Sequence, residues 1–181
     1  FEKMIRGTNS LPNGQIREIY LYNWIMMVFN SFSILREISR FYKREYSLSH
    51  TKFYEYLIEY CKNSDGIFSK EYEIARIHAE NGYSGKGWDH YDDELGDISW
   101  PIEEASWLRL TRKKVILKRE IEKFLQFVDS ELNITTNRED LIKFQIFTLN
   151  FPEDRSKPLL QEDFENDWAT YFNPNIEIPI E

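Results

Sequence analysis

Hydrophobic side chains recur at intervals of three and four residues along most of the chain, which is the spacing of amphipathic helices. The first stretch, residues 15–42, is apolar on most of the helix circumference and predicts one long central helix with neighbours on several sides. Further stretches predict helices over residues 50–62 and 70–80. Another begins at Pro101 and continues to about residue 130, with a new cap at Thr111.

Residues 137–150 allow two interpretations. Residues 144–149 mix aromatic and β-branched side chains, which is typical of a strand. The preceding Arg138-Glu139-Asp140 suits the first turn of a helix, because the positive end of the helix dipole stabilises acidic side chains. We therefore favour a helix here.

The pattern changes after Pro152. Prolines recur at positions 158, 174 and 179, and aromatic residues are mixed with acids, so short extended segments are expected. The whole pattern predicts a mainly α protein. Residues 1–150 would form a helical bundle of about five to six helices, and residues 151–181 an extended acidic appendage that begins a further element.

Composition agrees with one folded domain. The chain has 181 residues, of which 41% are hydrophobic and 30% charged. Cys61 is the single cysteine, which excludes a disulfide within the chain and, with no visible signal peptide, favours a cytoplasmic protein. The longest apolar run, residues 24–29, is too short to span a membrane. The first residue is Phe1 rather than Met, and the end reads as the start of a strand, so we expect a piece of a longer protein.

The net charge of −8 is concentrated in two blocks. Residues 61–110 carry five basic and eleven acidic side chains, and residues 151–181 carry two basic and eight acidic ones. Such a surface repels the phosphate backbone, so we expect no nucleic-acid partner. The acids fit a cation or a basic partner surface, and solvated loops are the simpler alternative.

The longest stretch without periodicity is residues 82–100. Loops of this length are usually functional or disordered, and the two tryptophans and two tyrosines in it argue against disorder. We predict a binding site in this loop and in the helix start after it. Its residues are Trp88, Asp89, His90, Asp92, Asp93, Trp100, Glu103 and Trp107.

The residues in and beside this loop allow three kinds of chemistry to be considered. Carboxylates at alternate positions can chelate calcium, but an EF-hand would need an acid at Tyr91, a glycine at Glu94 and a glutamate at Trp100. The glycines at 82, 85 and 87 are spaced wrongly to cradle a phosphate and suit a turning loop instead. Trp100 and Trp107 could form an apolar pocket that makes Glu103 a general acid. We predict no metal site and no catalytic residue.

Three stretches of the chain resemble one known family. They are Gly7-Thr8-Asn9-Ser10-Leu11 before an aromatic helix ending in Arg40-Phe41-Tyr42, the histidine-aromatic helix start at residues 49–57, and residues 96–105. Their order and character resemble the region after the catalytic barrel in bacterial radical SAM proteins that also carry a cobalamin-binding domain. The resemblance implies an accessory domain that caps the barrel or helps to hold a substrate.

The cofactor motifs of that family are missing from the chain. One cysteine cannot supply the Cys-x3-Cys-x2-Cys motif of the iron–sulfur cluster, and Asp89-His90 departs from the Asp-x-His-x2-Gly motif of cobalamin binding. The resemblance therefore assigns the cluster, S-adenosylmethionine and cobalamin to the parent protein, and no cofactor to this chain.

Three functional hypotheses follow. The first is the non-catalytic accessory domain, whose partner would be the remainder of its own polypeptide. The second is a stand-alone protein-interaction module that docks the acidic, tryptophan-rich loop 82–100 on a basic protein. The third is a small metal-assisted or acid–base enzyme built from Asp89, His90, Asp92 and Glu103.

Overall fold

A computed structural model describes residues 12–150 and 161–173, without the side chains of residues 13 and 14. Over these residues the fold is a bundle of α-helices and contains no strand, which confirms the predicted fold class. The helices are α1 (Asn13–Ile25), α2 (Arg36–Tyr46), α3 (His50–Asn63), α4 (Ile67–Ser84), α5 (Ile102–Arg112), α6 (Lys114–Leu132), α7 (Glu139–Thr148) and α8 (Trp168–Phe172). A π-helical segment, Met26–Ser31, follows α1 directly.

One aromatic core lies between the helices. Its rings meet edge to face, as in the Phe53–Phe124 pair at 5.3 Å and the Phe29–Phe68 pair at 5.0 Å between ring centroids. The largest fully buried side chains include Trp24, Tyr42, Tyr54, Phe29, Phe53, Phe68 and Phe124. In the described part of the chain, no helix combines the length and the apolar character that a membrane crossing requires.

The prediction of one helix over residues 15–42 is wrong. The α-helical pattern changes to π at Met26, and the chain then breaks over residues 32–35, where Ser33 has a left-handed φ of 68°. Gln145 of α7 stabilises this break. It accepts hydrogen bonds from the backbone N–H groups of Glu37 (2.9 Å) and Ile38 (3.3 Å) and donates one to the carbonyl of Ser33 (2.6 Å).

Helix α4 is longer at both ends than the predicted 70–80. It begins at Ile67, because Glu120 of α6 accepts a hydrogen bond from the N–H of Phe68 (3.4 Å) and places a carboxylate at the positive helix end. It ends beyond Gly82, where Gly85 adopts a φ of 85°. The spacing of apolar residues predicts neither end, because the two ends depend on Glu120 and Gly85, which are not apolar core residues.

The other helical predictions hold with shifted ends. Ser49 caps α3 by accepting a hydrogen bond from the N–H of Lys52 (3.2 Å). Residues 144–148 lie in α7, so the strand alternative for this segment is wrong. The break between α5 and α6 falls at Lys113, so the predicted cap at Thr111 is wrong. Thr111 lies within α5, where its hydroxyl bonds back to the carbonyl of Trp107 (2.8 Å).

Residues 161–173 pack against α2 and α7. Asp140 of α7 accepts hydrogen bonds from the backbone N–H of Glu165 (3.0 Å) and from the indole of Trp168 (2.8 Å). Trp168 and Phe172 are buried in the core, so a short helix forms where the sequence predicts extended chain. The turn at residues 7–11 and the extended segments expected over 151–160 and 174–181 lie outside the described residues.

A candidate binding pocket and the loop beside it

The segment between α4 and α5, residues 85–101, is here termed the acidic loop. Apart from a single isolated bridge between Asp92 and Gly96, it has no regular structure. Its far end returns to its middle, where the N–H of Trp100 donates to the carbonyl of His90 (2.8 Å). Side chains of α4 and α5 hold the rest of the loop in place.

Arg109 of α5 is the main anchor. Its guanidinium makes a bidentate ion pair with Glu71 of α4, with Nε–Oε1 at 2.8 Å and Nη2–Oε2 at 2.7 Å. Both residues are buried, at 8% and 6% exposure. Two parallel hydrogen bonds fix the plane of the guanidinium, so its remaining nitrogen points in one direction.

That remaining nitrogen, Nη1 of Arg109, holds the loop. It donates to Oδ2 of Asp92 (2.5 Å) and to Nε2 of His90 (3.1 Å). Burial alone would raise the pKa of Asp92, but the hydrogen bonds from Arg109 and from the N–H of Glu94 outweigh it and lower that pKa. Arg109 thus hydrogen-bonds both His90 and Asp92, two of the four side chains from which the third hypothesis builds its site.

The four side chains of the third hypothesis do not form one site. Asp89 is exposed and accepts a hydrogen bond from Ser99 (3.2 Å), while Glu103 lies near Tyr20. Within residues 12–150 and 161–173, no three His, Cys, Asp or Glu side chains are grouped so that they could hold a metal ion. The third hypothesis therefore finds no support in this geometry.

Trp88 anchors the start of the loop on α1 and α4. Its ring centroid lies 5.3 Å from that of Tyr20, 5.2 Å from that of Tyr83 and 5.4 Å from that of His78. Nε2 of His78 donates to the carbonyl of Trp88 (2.9 Å), and Nδ1 of the same ring hydrogen-bonds with the hydroxyl of Tyr20 (2.7 Å). His78 is 8% exposed and is thus a structural histidine at the boundary of the core.

Gly82 is required for this packing, and its replacement by alanine is expected to destabilise the fold. A Cβ at this position would lie 2.3 Å from the indole of Trp88. The clash should outweigh the better helix propensity of alanine and lower the free energy of unfolding by about 1–2 kcal/mol. Denaturant unfolding measures this, with Ser84→Ala on the same helix turn as the control. The clash explanation requires the Gly82→Ala change to become harmless once Trp88 is alanine.

Acidification is expected to release the acidic loop. Burial lowers the pKa of His90, and the neighbouring charges of Arg109 and His78 lower it further, against the opposing effect of Asp92. A histidine with a lowered folded pKa stabilises the fold above its unfolded value of 6.5, and that contribution is lost as pH falls through the folded pKa. Amide-exchange protection of residues 86–100 should therefore fall below pH 6.5 while α6 stays protected. The His90→Gln variant, which keeps an acceptor, should lack this step.

A pocket of about 490 Å³ opens beside the loop, between the start of α5 and the end of the π-helical segment, and is here termed the tryptophan pocket. Two indoles, one phenyl ring and one leucine make it mostly apolar. Its described lining consists of Ser31, Phe32, Ser33, Trp100, Glu104, Trp107 and Leu108. This is the size and character of a ligand site with few polar groups.

Local irregularity forms one wall of the pocket. Ser31 ends the π-helical segment and Ser33 has the left-handed backbone, so neither follows from an ordinary helix. The indole of Trp107 donates to the carbonyl of Phe32 (3.1 Å) and ties this wall to α5. π-Helical segments and left-handed non-glycine residues are enriched at functional sites.

Trp100 contributes an unused hydrogen-bond donor. Its Nε1 is buried and has no acceptor in the described part of the chain. The same holds for Nε of Arg17 and Arg138, but those guanidinium groups are paired with Glu80 and Asp129 through another nitrogen. Leaving a buried donor unpaired costs about 1–3 kcal/mol. A bound molecule that accepted this hydrogen bond would remove that cost, provided that the indole turns to expose its N–H to the pocket.

The structure divides the predicted site residues into two groups. Trp100 and Trp107 meet in the pocket. The others lie elsewhere: Trp88, His90 and Asp92 hold the loop, Asp89 and Asp93 are exposed, and Glu103 faces Tyr20.

Five lining residues of the pocket were not predicted from the sequence: Glu104, Leu108, Phe32, Ser31 and Ser33. Glu104 replaces its neighbour Glu103, which the sequence favoured. The i, i+4 spacing of Glu104 and Leu108 around Trp107 could have indicated one helix face. No sequence feature near Ser31, Phe32 and Ser33 could have indicated that these residues line a pocket.

The chemistry of the pocket suits binding. Glu104 is the one ionisable group among the described residues that line it. Cys61 is not suited to act as a nucleophile, because burial and the nearby Glu120 raise the pKa of its thiol. Comparison with protein-family models and with curated proteins gives no match for this chain. Function is therefore inferred from the pocket itself.

Proposed function

We propose that this chain is a non-catalytic binding module, which holds a polypeptide segment in the tryptophan pocket and against the acidic loop. The observation that supports it is the open, mostly apolar pocket whose Trp100 donor is unpaired. A polypeptide has side chains that can contact the aromatic walls. Its main-chain carbonyls can accept the hydrogen bond of the Trp100 indole once that ring turns toward the pocket. The segment would belong to the remainder of a longer chain or to a separate protein.

The surface beside the pocket supports the same proposal. Tyr91 and Ile98 of the acidic loop are exposed, at 63% and 54%, although both are large and apolar. The loop has five carboxylates against one lysine, Lys86. Apolar side chains within a charged rim are typical of protein–protein contact surfaces.

A displayed library of random peptides tests the proposal. Peptides selected on the whole chain should lose at least about tenfold in affinity when Leu108→Arg fills the pocket, which corresponds to about 1.4 kcal/mol. Ile116→Arg, a change at an exposed position of α6, serves as the control and should leave binding unchanged. Selection of no peptide that depends on Leu108 would reject the proposal.

A second candidate concerns the protein in which the module works. Residues 96–105, one of the three stretches that resemble cobalamin-dependent radical SAM proteins, contain the pocket residues Trp100 and Glu104. We propose on this resemblance that the module is the accessory domain of such an enzyme and holds part of its barrel or substrate. The coding sequence should then have a Cys-x3-Cys-x2-Cys motif upstream in the same frame. A coding sequence without it would contradict this candidate and leave the binding module standing.

A further inference from the structure

We infer that the side chain which enters the tryptophan pocket is basic, a lysine or an arginine of the bound polypeptide. The inference rests on the proposed function and adds the chemical class of the ligand. Aromatic walls, the charge around the pocket and the unpaired donor of Trp100 each contribute to it.

The walls fit a long side chain that ends in a cation. Trp100, Trp107 and Phe32 surround a space of about 490 Å³, enough for the aliphatic stem of lysine or arginine. The faces of indole rings attract cations more strongly than those of other aromatic side chains. A neutral aliphatic chain would gain the apolar contact without this attraction.

The charged residues around the pocket favour a ligand side chain with a positive charge. Glu104 is the one charged side chain in the described lining, and Glu103 is next to it on α5. Arg109, the buried cation of α5, is already paired with Glu71 and Asp92. A cation entering the pocket therefore meets a carboxylate that has no ion-pair partner among the described residues, whereas an anionic side chain would be repelled.

The donor of Trp100 adds a second requirement. A cation cannot accept the indole N–H, but a main-chain carbonyl beside the basic residue can, once the indole has turned to expose its N–H to the pocket. The ligand that satisfies both groups is a basic residue within a polypeptide, rather than a free amine.

Elsewhere in the chain, two arginine side chains each contact an aromatic ring and donate a hydrogen bond to a carbonyl. The guanidinium of Arg44 lies 4.2 Å from the ring centroid of Tyr171 and donates to its carbonyl (2.9 Å). Arg40 does the same with Phe172, at 5.2 Å from the ring and 2.6 Å from the carbonyl oxygen. A basic side chain that contacts both a ring and a carboxylate or carbonyl is thus compatible with the local chemistry of this fold.

Three blocked tripeptides, Gly-X-Gly with arginine, lysine or norleucine at X, test the inference on the whole chain. Chemical shifts of the Trp100 and Trp168 indole N–H groups report binding and its location. The arginine and lysine peptides should bind about tenfold more tightly than the norleucine peptide, and should shift Trp100 but not Trp168. Glu104→Gln should remove most of this preference, while Glu59→Gln, at an exposed position of α3, should preserve it.

The outcomes separate the two proposals. Equal binding of all three peptides, lost in Leu108→Arg, would overturn the basic ligand and leave an apolar binding pocket. A preference for lysine or arginine that survives Glu104→Gln would also overturn it, because the carboxylate would then have no part. No Leu108-dependent binding of any tripeptide, together with no selected library peptide, would overturn both proposals.

Discussion

Replacing Arg109 with methionine is expected to lower the free energy of unfolding by about 3–5 kcal/mol, because the change leaves Glu71 buried without its partner. Asp92 and His90 lose the same donor, so the acidic loop should also detach from α5. Chemical denaturation followed by circular dichroism measures the first effect. The indole signals of Trp88 and Trp100, which flank the attachment point, report the second.

Two further variants identify the cause. Arg76→Met removes an arginine from an exposed pair with Glu73 on α4 and should change stability by less than about 1 kcal/mol. Removing both charges in Arg109→Met/Glu71→Met should restore most of the lost stability, because well-packed apolar residues can replace a buried ion pair. The loop should stay detached in the double variant. If the double variant is as unstable as the single one, an unpaired Glu71 is not the reason.

Replacing Gln145 with leucine is the second large effect, expected to cost about 2–4 kcal/mol. Gln145 is fully buried, and the change leaves the N–H groups of Glu37 and Ile38 and the carbonyl of Ser33 without this partner. Leucine has a similar volume, so packing loss contributes little. Thermal and denaturant unfolding measure the cost.

The same variant should change the tryptophan pocket, since Ser33 lies in its wall. Peptides that bind the pocket should lose affinity in Gln145→Leu under conditions where the chain is still folded. Gln126→Leu, at an exposed position of α6, is the matched control and should preserve both stability and binding. An unchanged stability in Gln145→Leu would mean that the break at residues 32–35 does not depend on α7.

Part of the candidate site follows from the sequence. The loop with two tryptophans and five carboxylates is visible as the longest stretch without helical periodicity, and Trp100 and Trp107 are predicted to form an apolar pocket together. The choice between Glu103 and Glu104 does not follow. Neighbouring residues on a helix point about 100° apart, and only the packing of α5 on its neighbours decides which of them faces the pocket.

The sequence by itself determines most helices of the bundle and several of their ends, but neither the break before α2 nor the short helix α8. Apolar spacing and caps such as Ser49 act within a few residues, so they can be recognised along the chain. Only the tertiary structure decides three other features. Gln145 stabilises the break before α2 from 108 residues away, Glu120 starts α4 from 52 residues away, and Arg109 holds the acidic loop through Asp92. Each depends on polar groups brought together by packing of the core, and such pairings have no period in the sequence.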